Sequence, residues 1–163
     1  MPRSAKPQSK PVAPAVDWLQ LDRQLCFALY ASSLAMTKLY KPLLAPLGLT
    51  YPQYLVMLVL WEQDEQSVSA LGERLSLDSG TLTPLLKRME QSELLSRHRD
   101  AADERRVLVR LSSQGRALKK QAAEIPHRLA CASACSLQEL EQLTHRLHAL
   151  RTQLFQADQA PAA

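Results

Sequence analysis

The fold of this chain is decided by residues 69–115, which read SALGERLSLDSGTLTPLLKRMEQSELLSRHRDAADERRVLVRLSSQG. Ser69 is a candidate N-terminal cap, because its hydroxyl can accept a hydrogen bond from a backbone N–H of a first helical turn. The leucines that follow recur at helical spacing, and they are Leu71, Leu75 and Leu77. The stretch therefore begins with a short predicted helix, and a tight turn follows it.

A second helix is predicted within residues 78–90, and we call it the recognition helix. Its apolar side chains share one helical face: Leu82, Leu85, Leu86 and Met89. Its opposite face carries side chains that can hydrogen-bond, namely Ser79, Thr81, Thr83, Lys87 and Arg88. Short hydroxyls suit base edges in the major groove of DNA, and the two basic groups suit phosphates. Pro84 fits best in a first helical turn, so either a later start or a bend is expected there.

Alternating polar and apolar residues follow position 95, and they predict two strands around a charged loop, RDAADERR at residues 99–106. The candidate DNA-contacting side chains of this loop are Arg99, Asp103, Arg105 and Arg106. Arginines at such a tip can enter a narrow minor groove, and Asp103 or Glu104 can hold one of them extended. Helix, turn, helix and hairpin in this order predict a winged helix-turn-helix, mostly α with a small β wing. The alternative is a solvated hairpin on an unrelated helical protein.

The hairpin resembles the wing of the MarR family of bacterial regulators. That wing reads Asp-x-Arg, then a short Val/Leu strand, then a helix start of the Leu-Thr-x-x-Gly kind. Here the matching segments are DER at 103–105, VLVRL at 107–111 and SSQG at 112–115. Ser112 stands in place of the threonine and keeps a capping hydroxyl. The resemblance implies a double-stranded DNA partner with a pseudo-palindromic operator.

Length and charge agree with a DNA-binding protein. The 163 residues carry a formal charge of +4. Residues 87–110 contain seven basic and five acidic residues, a local excess of two positive charges. We expect residues 17–163 to form one domain. No apolar run reaches the length of a membrane span and no signal peptide is evident, so a cytoplasmic protein with no membrane contact is expected. In the reducing cytoplasm, three cysteines do not imply a framework of structural disulfides. No cofactor is expected.

The two ends of the chain predict long helices. Residues 1–16 are rich in proline and basic residues, and they predict a flexible arm. Asp17 is expected to cap a helix that runs to Pro42, followed by a turn that Gly48 ends. Thr50 is expected to cap the next helix, with Pro52 in its first turn.

Residues 113–130 and 136–157 predict two more helices, and leucines recur along the second as in a coiled-coil seam. These apolar helices have no obvious partner within one subunit. We therefore expect a homodimer in which residues 17–48 and 113–157 form the dimerisation region. It would present the winged helix-turn-helix, residues 51–111, to successive major grooves about 34 Å apart.

Several segments resemble the organic hydroperoxide resistance regulator branch of the MarR family. They are QLCF at 24–27, YASS at 30–33, MT at 36–37, YKPLL at 40–44, TYPQYL at 50–55 and LDSGTLTP at 77–84. Taken alone, a cysteine on an apolar helix face is most often a small core residue. The resemblance instead implies that Cys26 senses an organic hydroperoxide inducer and that Tyr40 and Tyr51 hydrogen-bond to its sulfur. Tyr30, one helical turn from Cys26, is a further candidate.

Cys131 and Cys135 lie four residues apart, so a continuous helix would present both on one face with His127. The resemblance implies that a distal thiol condenses with a sulfenic acid on Cys26. A metal site of His127, Cys131 and Cys135, and inert packing, are the alternatives. Cys131 is favoured as the resolving residue because residues 125–130 are expected to continue the preceding helix, and Cys135 remains the alternative. The disulfide is expected to join two subunits.

The function implied is repression of transcription that oxidation relieves. An opposing hypothesis is a thiol peroxidase with the same cysteine pair, but an enzyme has no use for a recognition helix and an arginine-tipped wing. A further alternative is a MarR-type regulator gated by a non-covalent aromatic ligand, which needs no cysteine. We therefore expect a regulator and not an enzyme.

Overall fold

The computed structural model describes residues 17–159, so the predicted arm at residues 1–16 lies outside the described residues. Helices in this range are α1 (Leu25–Leu44), α2 (Tyr51–Glu62), α3 (Val68–Leu75), α4 (Ser79–Gln91), α5 (Ser113–Ala122), α6 (Ile125–Ser133) and α7 (Leu137–Gln159). Strands are β1 (Gln66–Ser67), β2 (Leu95–Arg99) and β3 (Val107–Leu111). The chain divides into two compact units, with the boundary between Ala35 and Met36.

The N-terminal helix starts later than the sequence predicts. Asp17 does not cap it: its carboxylate accepts a hydrogen bond from the backbone of Leu19 at 3.0 Å, and α1 begins only at Leu25. A short side-chain acceptor satisfies the nearby backbone locally in this way and competes with helix formation. The helix then passes through Pro42 and ends two residues later. A 3-10 turn follows, and Gly48 closes it at φ 65°, as predicted.

The first helix of the helix-turn-helix motif has a different cap from the predicted one. Ser67, and not Ser69, caps α3 by accepting a hydrogen bond from the backbone of Ala70 at 3.1 Å. The helix stops because Ser76 adopts a left-handed conformation, φ 54°. Leu77, which was expected inside the helix, therefore lies in the turn before α4.

The recognition helix is α4. Asp78 caps it by accepting a hydrogen bond from the backbone of Thr81 at 2.9 Å. Pro84 is inside the helix, beyond its first turn, and the helix nevertheless starts at Ser79 and continues to Gln91. The later start considered for this helix is therefore wrong.

The predicted wing is confirmed as the antiparallel pair β2 and β3, in which Leu95 is opposite Leu111 and Arg99 is opposite Val107. A third strand was not predicted. The two-residue β1 pairs antiparallel with β3 and gives the strand order β1-β3-β2. The mostly helical winged helix-turn-helix fold is thus confirmed.

The core of the second unit lies among α2, α3, α4, α5 and the sheet. Its most deeply buried side chains are Leu44, Val56, Met57, Leu60, Leu71, Leu82, Leu86, Met89, Val109 and Ile125. Gly115 lies so close to the wing that a Cβ on it would meet the carbonyl oxygen of Leu94 at 2.1 Å. Its own carbonyl accepts a hydrogen bond from the indole of Trp61 at 2.9 Å. The glycine of the SSQG segment is therefore required for the wing to pack.

The C-terminal region contains three helices where the sequence predicted two. The expected helix over residues 113–130 is interrupted between α5 and α6, and Pro126 lies in the first turn of α6. Proline suits that position because a first-turn N–H has no helical partner. The described side chains of α7 include no buried residue. Within residues 17–159 no single helix is long and apolar enough to cross a membrane. Only the bent pair Leu25–Leu47 and Tyr51–Glu62, taken together, has the length and apolar composition of a membrane span.

Candidate DNA-binding surface and cysteine sites

The recognition helix separates its apolar and polar faces completely. Its predicted core residues Leu82, Leu85, Leu86 and Met89 are buried. The five candidate contact residues are all exposed: Ser79, Thr81, Thr83, Lys87 and Arg88. The exposed face therefore presents hydroxyls near the helix start and two cations farther along.

Thr81 has a second task at the start of α4. Its hydroxyl donates a hydrogen bond to the Asp78 carboxylate at 2.8 Å. The hydroxyl and then the backbone N–H of Thr81 hold the pKa of Asp78 below its usual value. Because this bond uses the hydroxyl proton, the Thr81 oxygen can only accept a further hydrogen bond.

The wing is attached to the recognition helix by Glu90. Its carboxylate accepts hydrogen bonds from the Arg97 backbone at 2.8 Å and from the Arg97 guanidinium at 2.7 and 3.0 Å. The guanidinium, followed by the backbone N–H, lowers the pKa of Glu90. Sequence reasoning counted Arg97 only as one basic residue and missed this role. It had no signal for the contact, because a strand and a helix meet there.

One arginine at the wing tip, Arg105, is almost fully exposed. Arg99 donates to the carbonyl oxygen of Glu104 at 2.9 Å, and an Arg106 nitrogen lies 3.8 Å from an Asp100 oxygen. Arg105 has its Nε 3.7 Å from Asp103 Oδ1, yet its side chain is 96% exposed. Asp103, one of the two acidic residues predicted to support a wing arginine, therefore lies beside the exposed Arg105.

A cleft of about 270 Å³ joins the recognition helix to the wing. Among its lining residues are Ser67, Ser69, Thr83, Arg97, Arg105 and Arg106. Three of the predicted contact residues, Thr83, Arg105 and Arg106, therefore line the same cleft. The N-terminus of α3, whose backbone N–H groups favour anions, lines it as well.

Cys26 lies near the start of α1 and is exposed. Apolar residues on the same part of the chain are also exposed: Leu21, Leu25, Tyr30 and Leu34 are 59%, 59%, 61% and 48% accessible. The described residues of the first unit, 17–35, contain no buried side chain. The Cys26 side chain is therefore open to solvent in the single chain.

Tyr40 and Tyr51, the two predicted thiolate-supporting residues, are brought together. Their ring centroids are 4.7 Å apart, and the ring of Tyr54 lies 5.8 Å from that of Tyr40. Burial, and then the nearby Tyr51 and Tyr54 phenols, raise the pKa of Tyr40 to about 12. Burial also raises the pKa of Tyr51. Both phenols therefore keep their protons near neutral pH and can donate hydrogen bonds. Sequence reasoning did not select Tyr54.

Cys131 and Cys135 do not share a helix face, because the continuous helix that a shared face requires is absent. Cys131 is exposed on α6, with its sulfur 3.9 Å from His127 Nδ1. Helix α6 ends at Ser133 because Ala134 is left-handed, φ 53°, and the Cys135 backbone N–H returns to the Ala130 carbonyl at 3.3 Å. This closure is typical of helix C-termini. The Cys135 thiol donates to the carbonyl of Ser133 at 3.4 Å.

The metal alternative finds no support in the described part of the chain. No group of three or more His, Cys, Asp or Glu side chains in residues 17–159 is arranged to hold a metal ion. His127 and Cys131 are a pair, and the chain leaves their helix before Cys135.

The chain is similar to known regulators over most of its length. A family model described as transcriptional regulator SarA/Rot matches residues 38–122. The organic hydroperoxide resistance transcriptional regulator of Bacillus subtilis (strain 168) is 51% identical over 140 residues, which cover 86% of this chain and 95% of that protein.

Two solved structures of AbfR differ in how closely they match this chain. Reduced AbfR bound to DNA is 35% identical, with a TM-score of 0.67 over 83% of this chain and 95% of that one. Disulfide-formed AbfR is 37% identical, with a TM-score of 0.56, and the match covers 80% of this chain and 91% of that one. From the winged helix fold and these similarities we conclude that the chain belongs to the MarR family, in its organic hydroperoxide resistance regulator branch, and is a transcriptional regulator and not an enzyme.

Proposed function

We propose that the chain is a homodimeric, cytoplasmic repressor that binds a pseudo-palindromic operator and releases it when an organic hydroperoxide oxidises Cys26. The observation that carries DNA binding is the exposed polar face of α4 beside an arginine-tipped wing. Ser79, Thr81 and Thr83 are assigned to base edges, and Lys87 and Arg88 to phosphates. Arg99, Arg105 and Arg106, with Asp103 as a support, are assigned to the minor groove.

A dimer is proposed because the terminal helices expose apolar side chains. On α7 the exposed positions are Leu137, Leu143, Leu147, Leu154 and Phe155, with accessibilities between 38% and 58%. Apolar surface left in water costs free energy in proportion to its area, and a second copy of the same helices can cover it. Two-fold symmetry of the dimer would match the symmetry of a pseudo-palindromic site.

The sensor is proposed to be completed by the second subunit. Cys26 and Tyr40 are both on α1, and positions fourteen residues apart on an α-helix are about 21 Å apart along its axis. A tyrosine that hydrogen-bonds to the Cys26 sulfur is therefore assigned to the partner. Tyr40 and Tyr51 suit this role because their rings are adjacent and both remain protonated donors. The exposed Tyr30 is a less favoured donor.

The proposed chemistry begins with the Cys26 thiolate, since the thiolate and not the thiol is the nucleophile. It attacks the terminal peroxide oxygen, the O–O bond breaks, and the alkoxide takes a proton and leaves as an alcohol. Cys26 is left as a sulfenic acid. A thiolate from the other subunit then attacks that sulfur, and the hydroxyl group leaves as water when it takes a proton. Cys131 is proposed to supply this thiolate, with Cys135 as the alternative.

Release of DNA requires that the disulfide state have a different geometry, because a bond that fits both states equally shifts neither population. The AbfR structures support this step by analogy. The fold of the disulfide-formed structure matches that of this chain less closely than the fold of the reduced, DNA-bound structure does, with TM-scores of 0.56 and 0.67, although the two sequence identities are similar. The proposal is that the terminal helices move to bring the sulfurs within bonding distance, and the recognition helices move with them.

Non-reducing electrophoresis after addition of cumene hydroperoxide tests the pairing. The parent protein should give a covalent dimer that dithiothreitol reduces to monomers. Cys26→Ser and Cys131→Ser should both lack it, whereas Cys135→Ser should retain it. A covalent dimer that persists in Cys131→Ser would transfer the resolving role to Cys135. Its absence from the parent would refute the two-cysteine mechanism.

A second candidate function is regulation by a non-covalent aromatic ligand. The observation that favours it is a cleft of about 370 Å³ lined by Tyr54, Leu58, Trp61, Lys119 and Pro126 among others. The apolar rings would suit an aromatic ligand, and the lining also carries one charged group of each sign, Lys119 and Glu62. Under this alternative Cys26→Ser would still respond to inducer, whereas under the peroxide mechanism it would not.

A further inference from the structure

His127 and Cys131 form a pair on the exposed face of α6. They are one helical turn apart, and His127 Nδ1 lies 3.9 Å from the Cys131 sulfur. Both residues are exposed and line an open cavity of about 420 Å³ that Cys135 and Leu137 also border. A reactive sulfur from elsewhere can therefore approach this pair from solvent.

Cys135 has a different environment although it lies only four residues farther along. Its thiol donates to the Ser133 carbonyl at 3.4 Å, and its side chain is half-buried. A carbonyl oxygen accepts a hydrogen bond from the thiol but does not take up its proton. An imidazole nitrogen, in contrast, can accept the proton and then donate it back.

We infer that His127 accepts the proton of Cys131 and thereby makes Cys131, and not Cys135, the thiol that resolves oxidised Cys26. This inference rests on the proposed function, because it assumes that Cys26 reaches the sulfenic acid. From the sequence, His127 is a candidate only for the alternative metal site.

The step balances without a further reactant. The proton moves from the Cys131 sulfur to His127 and leaves a thiolate and an imidazolium. The thiolate attacks the sulfenic sulfur of Cys26, the S–S bond forms, and the S–O bond breaks. The departing oxygen takes the proton from His127 and leaves as water. The sulfur of Cys131 is oxidised, that of Cys26 is reduced, and His127 returns to its starting form.

The position of Cys131 explains why it needs a partner. It lies two residues before the last residue of α6, Ser133. Unpaired carbonyl groups give a helix C-terminus a partial negative charge, which opposes a thiolate there. An imidazolium beside the sulfur offsets that charge. Arg128, three positions before Cys131 on the same helix, is a further cation on that side of α6, but a guanidinium is always protonated and cannot accept the thiol proton as an imidazole can.

Alkylation by iodoacetamide at pH 7 measures the thiolate directly. The test protein is the full chain with Cys26→Ser and Cys135→Ser, so that Cys131 is the one remaining thiol. Adding His127→Ala should slow alkylation on the order of tenfold, since loss of a charged partner changes the thiolate fraction by about that factor. Imidazole in the buffer should restore part of the rate, which a purely structural role of His127 would not allow.

Three controls keep the result specific. His127→Gln, which keeps a polar side chain but cannot accept the proton, should be as slow as His127→Ala. His145→Ala on α7 should leave the rate unchanged. In a protein whose sole thiol is Cys135, His127→Ala should have no effect. Equal alkylation rates of Cys131 with and without His127 would overturn the inference.

Failure of this inference differs from failure of the proposed function. In the otherwise unmodified chain, His127→Ala should slow the covalent dimer formed after cumene hydroperoxide by a similar factor while the sulfenic acid on Cys26 still forms. If the parent forms no covalent dimer, the proposed two-cysteine mechanism fails, whatever the alkylation rates are. If the dimer forms equally fast without His127, the mechanism stands and the role of His127 is wrong.

Discussion

The winged helix region, residues 51–111, and the terminal helices differ in how much apolar surface they bury. Leu71, Leu86 and Val109 of the winged region are 0% accessible. On α7, by contrast, Leu143 and Leu154 are 55% and 58% accessible. Helix α1 buries only Leu43 and Leu44, at its C-terminal end. The core of the winged region is therefore formed within one chain, whereas the exposed apolar side chains of the terminal helices are those that the proposed dimer would cover.

Under the proposed mechanism, this difference places the two redox cysteines outside the core of the DNA-binding region. Cys26 and Cys131 are exposed on α1 and α6, outside the buried core of the winged region. A disulfide between subunits can then change how the terminal helices associate without unfolding the recognition helix. Regulation would act on the spacing of two intact DNA-binding units.

The largest expected effect comes from emptying the core of the winged region. Leu86→Ala should lower the free energy of unfolding by about 2–5 kcal/mol, because it leaves a cavity at a fully buried position. Leu143→Ala, the matched change on α7, should alter unfolding much less when subunit dissociation is accounted for. Urea unfolding at several chain concentrations checks both variants. Equal losses would remove the contrast between the two regions.

The next effect tests the association of the terminal helices. Leu143→Glu should convert the dimer to a monomer and weaken operator binding strongly, because a charge would replace a leucine of the proposed seam. Gln142→Glu adds the same charge at the neighbouring position and serves as the control. Sedimentation equilibrium measures the outcome. A Leu143→Glu protein that remains dimeric would show that α7 is not in the interface.

A smaller effect is expected at the wing tip. Arg105→Ala should weaken operator binding by about 1–3 kcal/mol, since the exposed guanidinium is assigned to the minor groove. Arg128→Ala on α6 removes the same charge away from the wing. Fluorescence anisotropy across a salt series compares the two. Parental affinity of Arg105→Ala at every salt concentration would disprove the wing assignment.

The smallest effect is expected from a single phosphate contact. Lys87→Ala should lower affinity about equally for operator and random duplexes and reduce the slope of log affinity against log salt by about one unit. Lys120→Ala on α5 is the matched control. An unchanged salt slope would remove Lys87 from the phosphate contacts.

The sequence predicts the winged helix region well because its signals are local. Leucine spacing locates α3 and α4, and the capping roles of Thr50 and Ser112 are fulfilled by hydrogen bonds within three residues. The alternating residues of β2 and β3 locate the wing. Even Pro84, which is unfavourable in a helix, does not interrupt α4, because the buried leucines around it hold the helix in place.

Features that depend on distant contacts were missed. Strand β1 is two residues long and exists only through pairing with β3, over forty positions away. The bond between Glu90 and Arg97 joins a helix to a strand. The end of α6 before Cys135 depends on the left-handed conformation of Ala134, which the alanine residue itself does not predict. The separation of Cys131 from Cys135 follows from that conformation.

The central claim is that oxidation of Cys26 releases DNA. Operator binding is measured by anisotropy before and after one equivalent of cumene hydroperoxide per subunit, in parallel for the parent and Cys26→Ser. The account predicts that the parent releases the operator and rebinds it after dithiothreitol, while Cys26→Ser stays bound throughout. A parent that keeps its full affinity after oxidation, or a Cys26→Ser protein that also releases the operator, would contradict it.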